Sequence, residues 1–227
     1  MAGWFVTGTD TEIGKTRISC GLLRAFAAAG LRSAGMKPVA SGSMRTPDGL
    51  RNEDALALQQ SASVPLPYEL VNPYAFEPPI APHIAAAEAG VRIELQPILD
   101  AYAHVSARSE ITIVEGVGGW CVPLSDQIAL PQLARALELP VIMVVGMRLG
   151  CLNHAVLTAR AIREDGLQLA GWVANGIAAE FPRARENLAT LREAIAAPLL
   201  GEVPHAPDPQ ATAAGRHLAG AISRLMG

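Results

Sequence analysis

Residues Gly8-Thr9-Asp10-Thr11-Glu12-Ile13-Gly14-Lys15-Thr16 follow directly on the apolar run Trp4-Phe5-Val6. A strand that runs into a glycine-bearing loop ending Gly-Lys-Thr leaves the chain few options. The loop turns tightly and passes the chain to a helix, so that backbone N–H groups of both converge on one point. That point is a cradle for anionic oxygens. Lys15 adds a charge that reaches terminal phosphates, and Thr16 offers a hydroxyl to Mg²⁺. The spacing departs from the common form of this loop, because Thr9 stands where the first glycine usually does and Gly8 comes one residue earlier.

Strand and helix signals then alternate along the chain. Strands are expected at Trp4–Thr7, Ser33–Pro38, Ile111–Val114, Val141–Val145, Leu169–Ala174 and Leu199–Val203. Helices are expected from Lys15 to Ala29 (closed by Gly30), then at Asp54–Ser61, Ile128–Leu137, Leu152–Glu164, Ala184–Ala196 and Thr212–Met226. Near-continuous apolar strands between helices predict an α/β fold: a mostly parallel sheet with helices on both faces, in one domain over residues 1–227. Half the residues are hydrophobic, enough for a large core. Val64 to Pro82 is the exception, since it holds six prolines and reads as an ordered excursion that is neither helix nor central strand.

No window is long and apolar enough for a membrane span, and the N-terminus lacks a basic, cleavable leader pattern. The net charge of −3 argues against a nucleic-acid binder. A cytoplasmic protein with small-molecule ligands is expected. Cys20, Cys121 and Cys151 are odd in number and far apart, so they read as buried reduced thiols rather than a metal or redox motif.

In such sheets ligands bind beyond the carboxyl ends of the strands. Glu115 leads Glu115-Gly116-Val117-Gly118-Gly119 after an apolar strand, where a carboxylate binds Mg²⁺ or caps a helix. Asp54, in Asn52-Glu53-Asp54, reads first as helix charge or capping at the start of an apolar helical stretch. Lys37 lies among apolar neighbours at a strand end, poorly placed for simple solvation. Ser41 fits turn chemistry or a ligand contact, and Asn153 fits an N-cap or a ligand contact. His83 reads as structural.

Taken together, these residues resemble the dethiobiotin synthetase family. Its loop pattern is intact at Gly8–Thr16. Lys37-Pro38-Val39-Ala40-Ser41-Gly42, Asn52-Glu53-Asp54-Ala55, Pro79-Ile80-Ala81-Pro82-His83, Glu115–Gly119 and Arg148–His154 are similar to its other elements. The resemblance implies a nucleotide-binding α/β domain that closes 7,8-diaminopelargonate and CO₂ to dethiobiotin with ATP and Mg²⁺. The route passes through a carbamate and a carbamic-phosphoric anhydride. It implies that Lys15, Lys37 and Thr11 act on the reacting groups, and that Thr16, Asp54 and Glu115 hold Mg²⁺. Thr11, Glu12, Ile13, Gly14, Lys15, Thr16, Arg17, Asp54, Glu115, Gly116, Val117 and Gly118 would contact ATP. Asn175, Gly176, Pro204, His205 and Ala206 would flank its base. Ser41 and Gly118 would touch the diamine or carbamate. Gly150, Cys151, Leu152 and Asn153 would receive its distant carboxylate across a homodimer interface. Gly176 departs from the charged or polar residue often found there.

Two rival classes are weaker. A switch ATPase acting through protein partners carries an extra lysine early in its phosphate loop, and Gly8 to Ile13 contain none. The membrane-bound form of that class also ends in a basic amphipathic helix, whereas Gly220–Gly227 is only weakly basic. An amidotransferase-linked synthetase needs a second domain, for which 227 residues leave little length.

Overall fold

The computed structural model describes residues 2–206 and 214–227. Strand β1 (Ala2–Gly8) leads through the glycine-bearing loop into α1 (Lys15–Ala28). Then come β2 (Ser33–Met36), β3 (Val39–Ala40), β4 (Met44–Thr46), β5 (Gly49–Arg51), α2 (Glu53–Ser61), the single turn α3 (Tyr68–Val71) and β6 (Tyr74–Ala75). Next are α4 (Pro82–Glu88), α5 (Leu95–Ser106), β7 (Ile111–Glu115), α6 (Leu130–Ala136), β8 (Val141–Met147) and α7 (Cys151–Glu164). The order ends with β9 (Leu169–Gly176), α8 (Ala184–Ala194), β10 (Leu199–Val203) and α9 (Ala214–Met226).

Six strands form one parallel sheet in the order β10-β9-β8-β1-β7-β2. From β1 the chain goes to the edge strand β2 and back to β7, then crosses β1 to β8, β9 and β10, so β1 lies where the direction of winding changes side and such sheets open a crevice. Val6 pairs in register with Glu115, and Gly8 with Val144. The loop after β1 therefore emerges between the ends of β7 and β8.

Side chains alternate between the two faces of β1. Phe5 packs with Val114, Leu133, Met143 and Ala155, in the layer of α5, α6, α7 and α8. Trp4 and Val6 pack with Ile18, Leu22, Val144 and Leu218, in the layer of α1 and α9. Both faces are thus covered, as the apolar strands require. Gly30, at φ 84°, closes α1 in the left-handed conformation expected of its position. Gly14 starts the same helix with no side-chain cap, which leaves the first N–H groups of α1 without a side-chain partner.

The structure corrects several expectations. The proline-rich segment does contain a helical turn, Tyr68–Val71, because Pro67 precedes it at the cap and the next proline is Pro73. The strand at Ser33 stops at Met36, and Lys37 turns away to bond with Val71. Helices α4 and α5 lie in a stretch read without elements, although Ile98, Ala101 and Val105 of α5 are buried at helical spacing. The β4–β5 hairpin is solvent-facing, and its clearest sequence mark is the Pro47-Asp48-Gly49 turn. Cys121 is exposed while Cys20 and Cys151 are buried: Trp120 turns into the core and its neighbour turns out. The expected start of the last helix, Thr212, lies outside the described residues. Among the described residues, no helix is long and apolar enough to cross a membrane.

The start of α2 is set by Asn52. Its side chain accepts from Ala55 N at 3.3 Å and donates to Ser41 O at 3.2 Å, and its own N–H donates to the Tyr68 hydroxyl at 2.7 Å. Asn52→Ala is expected to lower stability by about 1–2 kcal/mol, the usual cost of a lost cap. An unchanged urea midpoint would contradict that.

Candidate active site

The phosphate loop is tightly wound. Glu12 holds a left-handed φ of 56°, and Gly14 one of 83°. A Cβ on Gly14 would fall 2.3 Å from Asn175 Nδ2, so both conformation and space require glycine there. Thr9 N donates to Val144 O at 3.0 Å and ties the loop to β8. The Asp10 carboxylate accepts from Thr11 N at 2.8 Å and pairs with Arg148 at 2.5 Å. The Lys15 ammonium turns back onto Asp10 O at 2.9 Å.

Deeper in, the end of β2 meets the end of β7. Lys37 Nζ donates to Glu115 Oε1 at 2.6 Å and to Gly116 O at 3.0 Å, and Asp54 Oδ2 lies 3.4 Å away. Thr16 Oγ1 donates to the same Glu115 Oε1 at 2.9 Å. Lys37 and Glu115 are buried, and Asp54 is half-exposed at the cleft wall. Burial works against charge on Lys37, but the carboxylates of Glu115 and Asp54 outweigh it and hold the ammonium above its usual range. Burial likewise opposes charge on Asp54, yet Lys37 and the Thr16 hydroxyl pull its carboxyl below the usual range. Lys15 goes the other way. Burial, then repulsion from Lys37, lowers it to about 8 against the partial support of Glu115, Asp54 and Asp10. The chain contains only two lysines, and both are here.

A cleft of about 840 Å³ opens over these groups. Thr11, Glu12, Gly14, Lys15, Thr16 and Arg17 form one wall, and Lys37, Ser41, Asp54, Val117 and Gly118 line the other side. Ile13 is buried beneath the loop, and Gly116 offers its carbonyl to Lys37. Ser41 Oγ and Glu115 Oε2 are buried without a hydrogen-bond partner. An unpaired buried carboxylate oxygen is costly, and a cation or its water would relieve it. Among the described residues, no group of three or more His, Cys, Asp or Glu side chains could hold a metal. Two carboxylates and a hydroxyl do suit Mg²⁺, which keeps waters and takes phosphate oxygens beside few protein ligands.

Asn175 lies outside the cleft lining, at the end of β9. It donates to Ile13 O at 2.8 Å and accepts from Arg17 at 3.1 Å, while Arg17 also donates to Pro204 O at 3.0 Å. Arg17 thereby joins α1 to the 204–206 segment. Gly176 is where a Cβ would meet His205 N at 2.6 Å, so the departure noted in the sequence lets Pro204, His205 and Ala206 pack close. The turn Gly150-Cys151-Leu152-Asn153 opens α7 away from the cleft lining. Cys151 is buried, and Leu149 at the tip is 90% exposed. His83 is the second residue of α4, with its Nδ1 buried and unpartnered.

Sequence reasoning gave no role to Asp10, Arg148, Tyr68 or Asn72. Asp10 and Arg148 are 138 residues apart, and only the adjacency of β1 and β8 joins them. Tyr68 and Asn72 lie in the proline-rich segment, where Asn72 Nδ2 donates to Lys37 O at 2.7 Å.

A family model described as an AAA domain matches residues 2–213. The chain is 57% identical over 219 residues to a protein of Pseudomonas paraeruginosa named ATP-dependent dethiobiotin synthetase BioD, covering 96% of each. Proteins of the same name from Xanthomonas oryzae pv. oryzae and Aeromonas hydrophila are 52% and 53% identical, over 95% and 92% of this chain and 96% and 93% of theirs. Among solved structures, the MinC:MinD cell division complex of Aquifex aeolicus aligns at TM-score 0.66 and 13% identity, over 100% of this chain and 96% of that one. A ParA family ATPase from Chlorobium tepidum aligns at 0.54 and 14%, over 98% and 92%. Those two likenesses are of fold. The relatives that are more than half identical over nearly their full length show that the chain belongs to the ATP-dependent dethiobiotin synthetase family.

Proposed function

We propose that this chain, acting as one domain over residues 1–227, uses ATP and Mg²⁺ to close 7,8-diaminopelargonate and CO₂ into dethiobiotin. One amine adds to CO₂ and loses a proton, giving a carbamate. A carbamate oxygen attacks the γ-phosphorus and ADP leaves. The second amine attacks the carbonyl carbon of the mixed anhydride, and expulsion of phosphate with loss of one amine proton leaves a cyclic urea. The observation that carries the reading is the convergence of Lys15 and Lys37 on one cleft beside Glu115, Asp54 and Thr16.

Two anions must be brought together, and the chain's own groups fit that demand. Lys15 and the free N–H groups of α1 receive the triphosphate, and Thr11 and Gly118 border the transferred group. Lys37 exchanges one protein oxygen for the carbamate as negative charge builds up. Ser41, whose hydroxyl lacks a partner, orients the diamine. Thr16, Asp54 and Glu115 would hold Mg²⁺, which neutralises phosphate charge when bound. Asn175, Gly176 and the 204–206 segment flank the base. The turn 150–153 takes the distant carboxylate from a second protomer's substrate in a homodimer; exposed Leu149 and Leu157 beside that turn support an apolar interface. A cytoplasmic location accompanies this role.

Coupled detection of ADP with and without diamine and bicarbonate tests the reading. Diamine-dependent release is expected. Hydrolysis stimulated by a protein partner with no need for diamine would favour the switch ATPase instead.

Lys37→Ala should lower kcat on the order of a hundredfold or more, the scale of one lost transition-state charge contact. Because it strands buried Glu115, it should also cost about 3–5 kcal/mol of stability. Rates within a few-fold of the parent would remove Lys37 from the mechanism. Glu115→Gln should move the Mg²⁺ titration of activity to higher concentration. A curve that superposes on the parent's would take Glu115 out of the metal set.

A further inference from the structure

Lys37, Ser41 and Asp54 are reached by one hydrogen-bond chain, which bonds the backbones of Lys37 and Ser41 and caps the helix that carries Asp54. Asn72 Nδ2 donates to Lys37 O at 2.7 Å and to Tyr74 O at 3.1 Å. Asn72 Oδ1 accepts from the Tyr68 hydroxyl at 2.9 Å. That hydroxyl in turn accepts from Asn52 N at 2.7 Å. Asn52 caps the helix that carries Asp54 and donates to Ser41 O at 3.2 Å. Lys37 N completes the link by donating to Val71 O at 2.7 Å. Asn52, Tyr68 and Asn72 are all buried, and none of the three lines the cleft.

We infer that Tyr68 and Asn72 are positioning residues for the reaction, setting the Lys37 ammonium against the Asp54 carboxylate by fixing both backbones through one hydroxyl. The inference rests on the proposed roles of Lys37 and Asp54. Three features distinguish the network from ordinary packing. It is short: Tyr68 Oη stands one hydrogen bond from Asn52 N and one from Asn72 Oδ1, beside the Asn52–Ser41 bond that also ties the two sides. Its donors at Tyr68 and Asn72 are all used, since the Tyr68 hydroxyl gives one hydrogen bond and receives one, and Asn72 gives two and receives one. It is held from above by Arg51, whose guanidinium lies 4.2 Å from the Tyr68 ring centre. Loss of the hydroxyl would leave the ring seated while Asn52 N–H and Asn72 Oδ1 lose their shared partner. The two sides would then be held by the Asn52–Ser41 bond and the Lys37–Asp54 pair alone, and their relative position would be less tightly set. Catalysis is sensitive to that kind of change, because displacement on the order of 1 Å can cost up to about a hundredfold.

Tyr68→Phe removes only the hydroxyl, and Asn72→Asp removes the donor to Lys37 O. Activity is measured well below each variant's melting temperature, with near-ultraviolet dichroism confirming the fold. For Tyr68→Phe the expected result is a fall in kcat on the order of tenfold and a severalfold rise in the Mg²⁺ concentration for half-maximal nucleotide binding. Affinity for ADP without metal stays within about twofold, because the phosphate loop is untouched. The Mg²⁺ effect should vanish in an Asp54→Asn background if Tyr68 acts through Asp54. Asn72→Asp should lower kcat at least as far. If it does not fold, Tyr68→Phe decides alone. A lower melting temperature with kcat and Mg²⁺ dependence within twofold of the parent would overturn the inference and leave a purely structural role. Absence of diamine-dependent ADP release from the parent would instead remove the ligase reading, and the nucleotide and Mg²⁺ arms, which need no diamine, would still judge Tyr68.

Discussion

A buried ammonium held between two carboxylates is the interaction around which this site is built. Lys37 lies 2.6 Å from Glu115 and 3.4 Å from Asp54. Such a cluster is poor at stabilising a fold, because desolvation takes back much of the Coulomb energy. Its value lies in what it keeps ready: a cation that stays charged while buried, beside carboxylates that suit Mg²⁺. Lys15, at the start of α1 and lining the same cleft, is depressed by burial and by Lys37 itself. The same pocket therefore pushes its two lysines in opposite directions.

The sheet order makes this possible. Placing β1 between β7 and β8 brings the phosphate loop, Glu115 and Arg148 to one edge. β2, on the far side of β7, delivers Lys37 over Glu115. The rest is support for those ends. The proline-rich excursion, which looks like decoration in the sequence, supplies Val71 and Asn72 to both backbone groups of Lys37. Prolines suit that task, since they fix the chain's direction without needing N–H partners.

How far the sequence could be read follows from how local each signal is. The loop from Gly8 to Thr16 and the apolar runs of β7 and β8 carry their own explanation, and the parallel sheet follows from them. Lys37 stood out because a lysine between apolar residues has few uses. Asp54 did not, because an acidic residue in a first helical turn is usual; only its distance to Lys37 separates the two readings. Asp10 meets Arg148, Tyr68 meets Asn52 and Asn72 meets Lys37 across long stretches of sequence, and the local bond between Tyr68 and Asn72 gives no mark of the distant groups at its ends. Helix α5 did carry a readable period in Ile98, Ala101 and Val105, whereas the β4–β5 hairpin, facing solvent, had no apolar pattern to read.

The most direct check of the buried ammonium uses the chain's own economy of lysines. With ¹⁵N-labelled lysine, the free protein gives two side-chain signals, assigned by Lys15→Arg and Lys37→Arg, and each is followed as the pH rises. The signal from Lys15 should titrate near pH 8, losing its proton as pH passes that value, while that from Lys37 should stay charged beyond the ordinary lysine range of about 10.4. A Lys37 signal that loses its proton near neutral pH would contradict the account at its centre.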